Sequence, residues 1–363
     1  MNFQTKKERM LMIDSCNKVT FKIQTRSHAS KKLSVLMAFL SITSFAEVPA
    51  KSAEKAITIY AYANEDLIKP LFEAYTKHSG TKVNYVIEKG AVLLERLKAE
   101  GAASPADIYL DVDAGNLWNS AQSGVLSPIQ SKELEKIPAS YRDSQGRWFG
   151  FSLRARTIFY NPEKVSEKDL KDYQDLSLPK WKSKLCLRSS SSVYNQSLMT
   201  SMIERYGEKE SEKIAKGWSD NLATTPFSSD SVLLKAIDSG TCQIGIANTY
   251  YFAKLIKENP AIKVKVFFPA SKNGGVHVNV RGGGVVATSK NKVEAQKFLE
   301  WMIGAEAQKI FSSANLEFPI LTGVPIDPVL LAWGKFSIEN FKLQLAGEKQ
   351  KVAVMLMDKA GYK

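Results

Sequence analysis

Three phenol side chains have the type and spacing to hold a hard, highly charged cation. Tyr250 and Tyr251 end the run Thr241-Cys-Gln-Ile-Gly-Ile-Ala-Asn-Thr-Tyr-Tyr. Tyr194 follows an earlier stretch of the same grammar, Lys184-Leu-Cys-Leu-Arg and a serine run. A phenol ordinarily ionises near a pH of about 10, so tyrosinate forms at neutral pH only beside strong positive charge. A bound trivalent ion supplies that charge. Ferric iron is a hard Lewis acid that prefers anionic oxygen to thiolate, and three phenolates neutralise its charge. Each tyrosine alone reads equally well as a core aromatic with a hydrogen-bonded hydroxyl. Their repeated placement after strand ends argues against that for the set.

The elements that must position them are legible nearby. Residues 243–247 read as a short buried strand and the chain from Phe252 as a helix; residues 184–188 and 198–203 repeat the pair. Strand-to-helix turns are where an open α/β sheet places its ligands. Upstream, residues 57–62 alternate as a first strand, and Glu65 and Asp66 open a helix at its positive end. Leu67, Ile68, Leu71, Phe72 and Tyr75 form that helix's buried stripe, and Gly80 ends it. A strand at 82–87, a helix at 91–99, a strand at 107–112 and a helix at 116–123 follow. This βαβαβ order predicts a parallel sheet covered by helices. Residues 149–160 read as extended chain passing to a second lobe, and the glycine-interrupted residues 276–286 as the return. Helices within 293–314 and over 336–359 complete an α/β clamshell of two lobes, hinged on two crossing β segments. The expected division is 56–152 with about 281–335 for the first lobe, 153–280 for the second, and 336–363 as a C-terminal helix packing across both.

A chain of 363 residues is long for one core, which agrees with two lobes. The net charge of +13 is concentrated at the start: residues 1–46 carry eight basic and two acidic side chains of totals of 50 and 37, leaving +7 for the rest. No basic block or recognition motif accompanies the remainder, so nucleic acid is not an expected partner. Lys31 and Lys32 precede the apolar residues 33–40, and Ser44-Phe-Ala46 supplies small residues. That pattern predicts a signal peptide over 1–46 and export to the periplasm, with a membrane anchor as the alternative. Cys16 leaves with such a leader. Cys186 and Cys242, one in each tyrosine-feeding strand, remain as a disulfide candidate or as two buried thiols.

Specific segments resemble the ferric-iron-binding periplasmic proteins of ABC importers, near their cyanobacterial branch. They are residues 181–198, Ala247-Asn-Thr-Tyr-Tyr, Ser104-Pro-Ala-Asp-Ile, residues 148–156, Phe267-Phe-Pro and Val276-His-Val-Asn-Val, in collinear order. The resemblance implies the periplasmic solute-binding-protein fold, with Tyr194, Tyr250 and Tyr251 as Fe(III) ligands. It implies that Arg154 lies near the metal and holds a synergistic anion such as carbonate. The alternative for Arg154 is an interlobe salt bridge. It further implies a monomer that delivers iron to an inner-membrane ABC permease and its ATPase. One departure stands out. Where relatives commonly carry a His, or a His-Tyr pair, this chain has Asn64 and Glu65. Glu65 is therefore a candidate carboxylate ligand or a mere helix-opening acid, and Tyr62 is a second candidate. Asp111 and Asp113 either line the cleft or fix their own turn.

Two other functions compete. A binding protein of the same fold for an oxyanion such as sulfate would use Arg154 and the serines. One for a small organic solute such as thiamine or a polyamine is a variant of that reading (a polyamine needing facing carboxylates and aromatic walls), and Fe(II) is an alternative cargo. An enzyme lacks support: no P-loop, GxSxG or HExxH motif occurs, and no Cys–His pair marks a cleft loop.

Overall fold

The computed structural model describes residues 55–363; the expected leader lies outside them. Ten strands form one mixed sheet: β1 (Ala56–Ala61), β2 (Lys82–Ile87), β3 (Ile108–Asp111), β4 (Leu126–Ser127), β5 (Phe149–Tyr160), β6 (Leu185–Cys186), β7 (Ile244–Asn248), β8 (Lys265–Phe267), β9 (His277–Val286) and β10 (Phe318–Pro319). The helices before the second lobe are α1 (Glu65–Ser79), α2 (Gly90–Glu100) and α3 (Ala114–Gln122). Those that follow are α4 (Val193–Tyr206), α5 (Glu208–Asp220), α6 (Asp230–Asp238), α7 (Thr249–Glu258), α8 (Lys292–Met302) and α9 (Ala305–Ser313), then the short α10 (Pro328–Leu331) and α11 (Leu345–Glu348), and α12 (Gln350–Lys359).

The main strand order is β2-β1-β3-β9-β5-β7-β6. The expected parallel pairing holds toward both ends, at β1 with β2 and β3 and at β6 with β7. In the middle, β9 and β5 run antiparallel to each other and to their outer neighbours. The reason is topological: β5 leaves the first lobe and β9 returns to it, so the two cross in opposite directions. Both strands are buried along their full lengths. The early part of β5, with Phe149, Phe151 and Leu153, belongs to a core shared with β1, β3, α1 and α8. Its later part, with Ile158 and Tyr160, belongs to a second core with Trp181, Leu198, Met199 and Trp218.

Local sequence explains the element ends. Asn64 accepts from the Asp66 N–H at the start of α1, and Gly80 takes φ 70° at its end, a conformation costly for a residue with a Cβ. Gly245 lets β6 and β7 pack closely, because an added Cβ would stand 2.6 Å from the Cys186 carbonyl oxygen. The expected long C-terminal helix is shorter than its sequence pattern. Phe336 stacks on Phe268 at 4.5 Å and Ile338 bridges to Val276, which holds that segment extended. Only 350–359 forms the final helix proper, and its Ala353, Leu356 and Met357 join the second core. Cys186 and Cys242 form a disulfide with Cα atoms 5.9 Å apart, under the strands that feed the tyrosine turns. Among the described residues no helix is long and apolar enough to cross a membrane.

Candidate metal centre

The three phenols converge. Tyr194 lies in the first turn of α4, while Tyr250 and Tyr251 lie in the first turn of α7; the helices therefore begin earlier than their apolar periodicity suggested. The Tyr194 and Tyr250 hydroxyls are 3.4 Å apart, and the Tyr250 and Tyr251 ring centroids lie 4.0 Å apart with the planes tilted by 32°. Tyr194 and Tyr250 are buried, at 8% and 7% exposure. Burial, followed by the charge of Tyr251, pushes the Tyr194 phenol up to about 12. Burial, then its two tyrosine neighbours, also raises Tyr250 well above the usual value. Left alone, these oxygens stay protonated. Only a strong cation delivered among them makes ionisation favourable.

Positive charge surrounds the set. The Arg154 and Arg188 guanidinium carbons lie 5.5 and 5.3 Å from the Tyr194 ring centroid. Arg154 is 1% exposed and donates through Nη2 to the carbonyls of Val112 and Val280. Its Nε and Nη1 are buried without partners among the described residues. Arg154 borders a cavity of about 10 Å³, the room of one water. Arg188, which sequence reasoning passed over, has an Nη1 without a hydrogen bond among the described residues that lies 3.8 Å from Asp230 Oδ1, an ion pair at long range. It faces a larger space of about 550 Å³, together with Tyr62, Lys89, Ser192 and Tyr194. Its signal was its place at the end of a strand, immediately before the serine run.

The first lobe contributes unevenly. Tyr62 shares the Arg188 space with Tyr194, and burial, then Tyr194, pushes its phenol up to about 12. Glu65 is exposed at the start of α1, and its Oε1 accepts from the Tyr85 hydroxyl at 2.9 Å. Asn64 and Asp66 beside it line a cavity of about 560 Å³ that Tyr250 and Tyr251 wall on the other side. Asp111 accepts from the Tyr109 hydroxyl at 2.5 Å and from the Asp113 N–H at 3.0 Å. Asp113 caps α3 through the Gly115 and Asn116 N–H groups and accepts from Asn279. Both aspartates thus fix their turn. His78 pairs with Glu306 at the far end of α1, and His277 is buried against Glu339. Among the described residues no three His, Cys, Asp or Glu side chains gather as a metal site, so phenols are the available donor set.

Residues 103–341 match the family described as bacterial extracellular solute-binding proteins. Iron uptake protein A1 of Synechocystis sp. is 39% identical over 325 residues, spanning 88% of this chain and 90% of that protein. The Fe(3+)-binding periplasmic protein of Serratia marcescens is 30% identical over 317 residues, spanning 86% and 92%. The solved structure of Trichodesmium (IdiA) (FutA) in complex with iron and citrate ligands superposes with a TM-score of 0.80 at 45% identity, covering 85% of this chain and all of that one. This chain belongs to the bacterial extracellular solute-binding proteins, in the branch of cyanobacterial-type periplasmic ferric-iron-binding proteins.

Proposed function

We propose that the chain binds Fe(III) through the phenolate oxygens of Tyr194, Tyr250 and Tyr251 and carries it across the periplasm to an inner-membrane ABC permease, driven by its ATPase. The observation that carries this reading is the convergence of three largely buried phenols from two separate helix N-termini, with two hydroxyls 3.4 Å apart. Nothing in a folded core requires such crowding, and burial makes the Tyr194 and Tyr250 oxygens harder to ionise. A trivalent ion reverses that balance. Arg188 lies 3.8 Å from the Asp230 carboxylate, but Arg154, with two unpartnered donors, adds positive charge once three phenolates neutralise Fe(III). An anion such as carbonate would offset it and fill coordination positions that the tyrosines leave. Arg188 and the serines have room for one, whereas the space beside Arg154 fits only a water. Tyr62 is the first-lobe donor nearest the set; Glu65 joins only by leaving Tyr85. The protein acts as a monomer whose lobes close on the ion.

The test is a visible absorption titration of the mature protein with ferric nitrilotriacetate. A broad phenolate-to-iron band that saturates at one equivalent is expected. A protein that takes up iron without such a band would not be using these tyrosines.

A further inference from the structure

Arg154 and Arg156 alternate on the same face of β5, and both are buried, yet their hydrogen bonds differ completely. Arg156 is 2% exposed and spends all five donors inside the second lobe. Nε and Nη2 donate to Asn195 Oδ1 at 3.0 and 2.5 Å, and Nη2 also donates to the Ile246 carbonyl at 3.3 Å. Nη1 donates to Asp230 Oδ2 at 3.0 Å and to Asn248 Oδ1 at 3.1 Å. Asp230 Oδ2 accepts in turn from the Asn248 N–H at 2.9 Å. The identity of the acceptors matters. Asn195 directly follows Tyr194, and Asn248 is the residue immediately before the helix whose first turn holds Tyr250 and Tyr251.

We infer that Arg156 is the positioning residue that sets the distance between the two tyrosine-bearing turns, so that the donor set is built before the cation arrives; this rests on the tyrosinate reading above. A single planar fork spans both turns. Its geometry is fixed by the strand below and by Asp230 above, so neither turn moves without breaking charge-assisted bonds in a dry interior. The chain's end extends the brace. Asn195 Nδ2 donates to the Arg188 carbonyl at 2.7 Å and to the Tyr362 hydroxyl at 2.7 Å, and Tyr362 donates to the same carbonyl at 2.6 Å. The loop that carries Arg188 and the serines is thereby held to the same hub.

Supporting residues of a metal site typically contribute about 10–100-fold in affinity. Lysine keeps the charge of Arg156 but not the fork. Arg156→Lys should therefore weaken ferric binding by about tenfold or more and shift or broaden the visible band. Asn195→Ala and Asn248→Ala each cut the fork from one turn and should do the same singly, which keeps the question open to test if Arg156→Lys does not fold. The control is Asn221→Ala. It removes buried hydrogen bonds to the Leu176 and Leu178 carbonyls in the same lobe, away from the turns. That variant should lose thermal stability yet keep the wild-type band and affinity. Arg156→Lys, Asn195→Ala and Asn248→Ala proteins whose band position and affinity match the wild type would overturn the inference. If all variants, the control included, shift together, the effect is general destabilisation and the inference is equally lost. A wild type without any band removes the tyrosinate reading, and this inference with it.

Discussion

Across the cleft, the second lobe offers Tyr194, Tyr250 and Tyr251 on the first turns of two helices braced by Arg156. The first lobe offers Tyr62 and a set of acids that are already occupied: Asp111 and Asp113 with their own turn, Glu65 with Tyr85. On the proposed reading, one side is arranged for a cation before it arrives, and the other has few free anionic oxygens. A clamshell with its donors on one lobe can load while open. Closure then excludes water and raises the strength of every charge interaction inside.

The largest expected effect comes from breaking the rich side. Tyr194→Phe or Tyr250→Phe deletes a proposed ligand oxygen while keeping the ring that fills the lobe. Either should cost more ferric affinity than the roughly 100-fold upper range for supporting residues, with a displaced or missing visible band. Competition against a chelator of known strength would measure it. Comparable losses from Glu65→Ala would reverse the assignment of the two sides.

Next in size is the response to pH, whose sign differs between the free and the loaded protein. Tyr194 sits at about 12 against its usual 10.0, so the free protein holds its proton at neutral pH. Each phenol that ligates iron releases a proton, so affinity should rise about tenfold per pH unit for each phenol that ionises on binding, and fall as the medium acidifies. Stability of the free protein runs the other way. A phenol raised on folding contributes stability that is fully present below its unfolded value and is lost as pH rises through the folded value. Alkaline titration between about 10 and 12 should therefore destabilise the free protein while iron still protects it. Denaturant midpoints with and without iron would separate the two.

The disulfide tests whether the rich side depends on its underlying strands. Cys186 and Cys242 are 56 residues apart, and loop-entropy arithmetic for that span gives about 4 kcal/mol. The double Cys→Ser variant should lose stability of about that size in urea. Iron affinity should change much less, because the Arg156 hub, not the disulfide, joins the turns.

Much of this arrangement was legible beforehand because it is local. The alternation of strand and helix placed all three tyrosines, and the capping residues of α1 gave its start and stop. The outward and returning crossings at 149–160 and 276–286 were legible, but their pairing with each other at the centre of the sheet was not, since no local period records a strand's partner. The extended stretch before α11 was hidden for a similar reason: Phe336 and Ile338 are held by Phe268 and Val276, distant in sequence. Arg156 was missed although two arginines in a mostly apolar strand of twelve residues were a visible signal. Sequence alone does not say which of such a pair is satisfied. Arg154 drew notice through resemblance, and only the hydrogen bonds distinguish a donor in use from one left free.

The smallest effect, and the sharpest probe of the poorer side, is Tyr85→Phe. The Tyr85 hydroxyl holds the Glu65 carboxylate, and that hydrogen bond is what raises the Tyr85 phenol. Removing it frees Glu65 without changing its charge or its place at the head of α1. If the first lobe withholds its carboxylate only because Tyr85 engages it, the variant should bind ferric iron more tightly, with a shifted band as a carboxylate enters the coordination sphere. The expectation here is different. Glu65 is solvated at a helix start, a setting that already favours an acid there, and its neighbours rather than its own side chain line the cavity beside Tyr250. Affinity should stay within about twofold of wild type, as for most surface substitutions, with the band unmoved. A tighter, shifted complex in Tyr85→Phe that Glu65→Ala abolishes would show that the first lobe holds a latent fourth ligand.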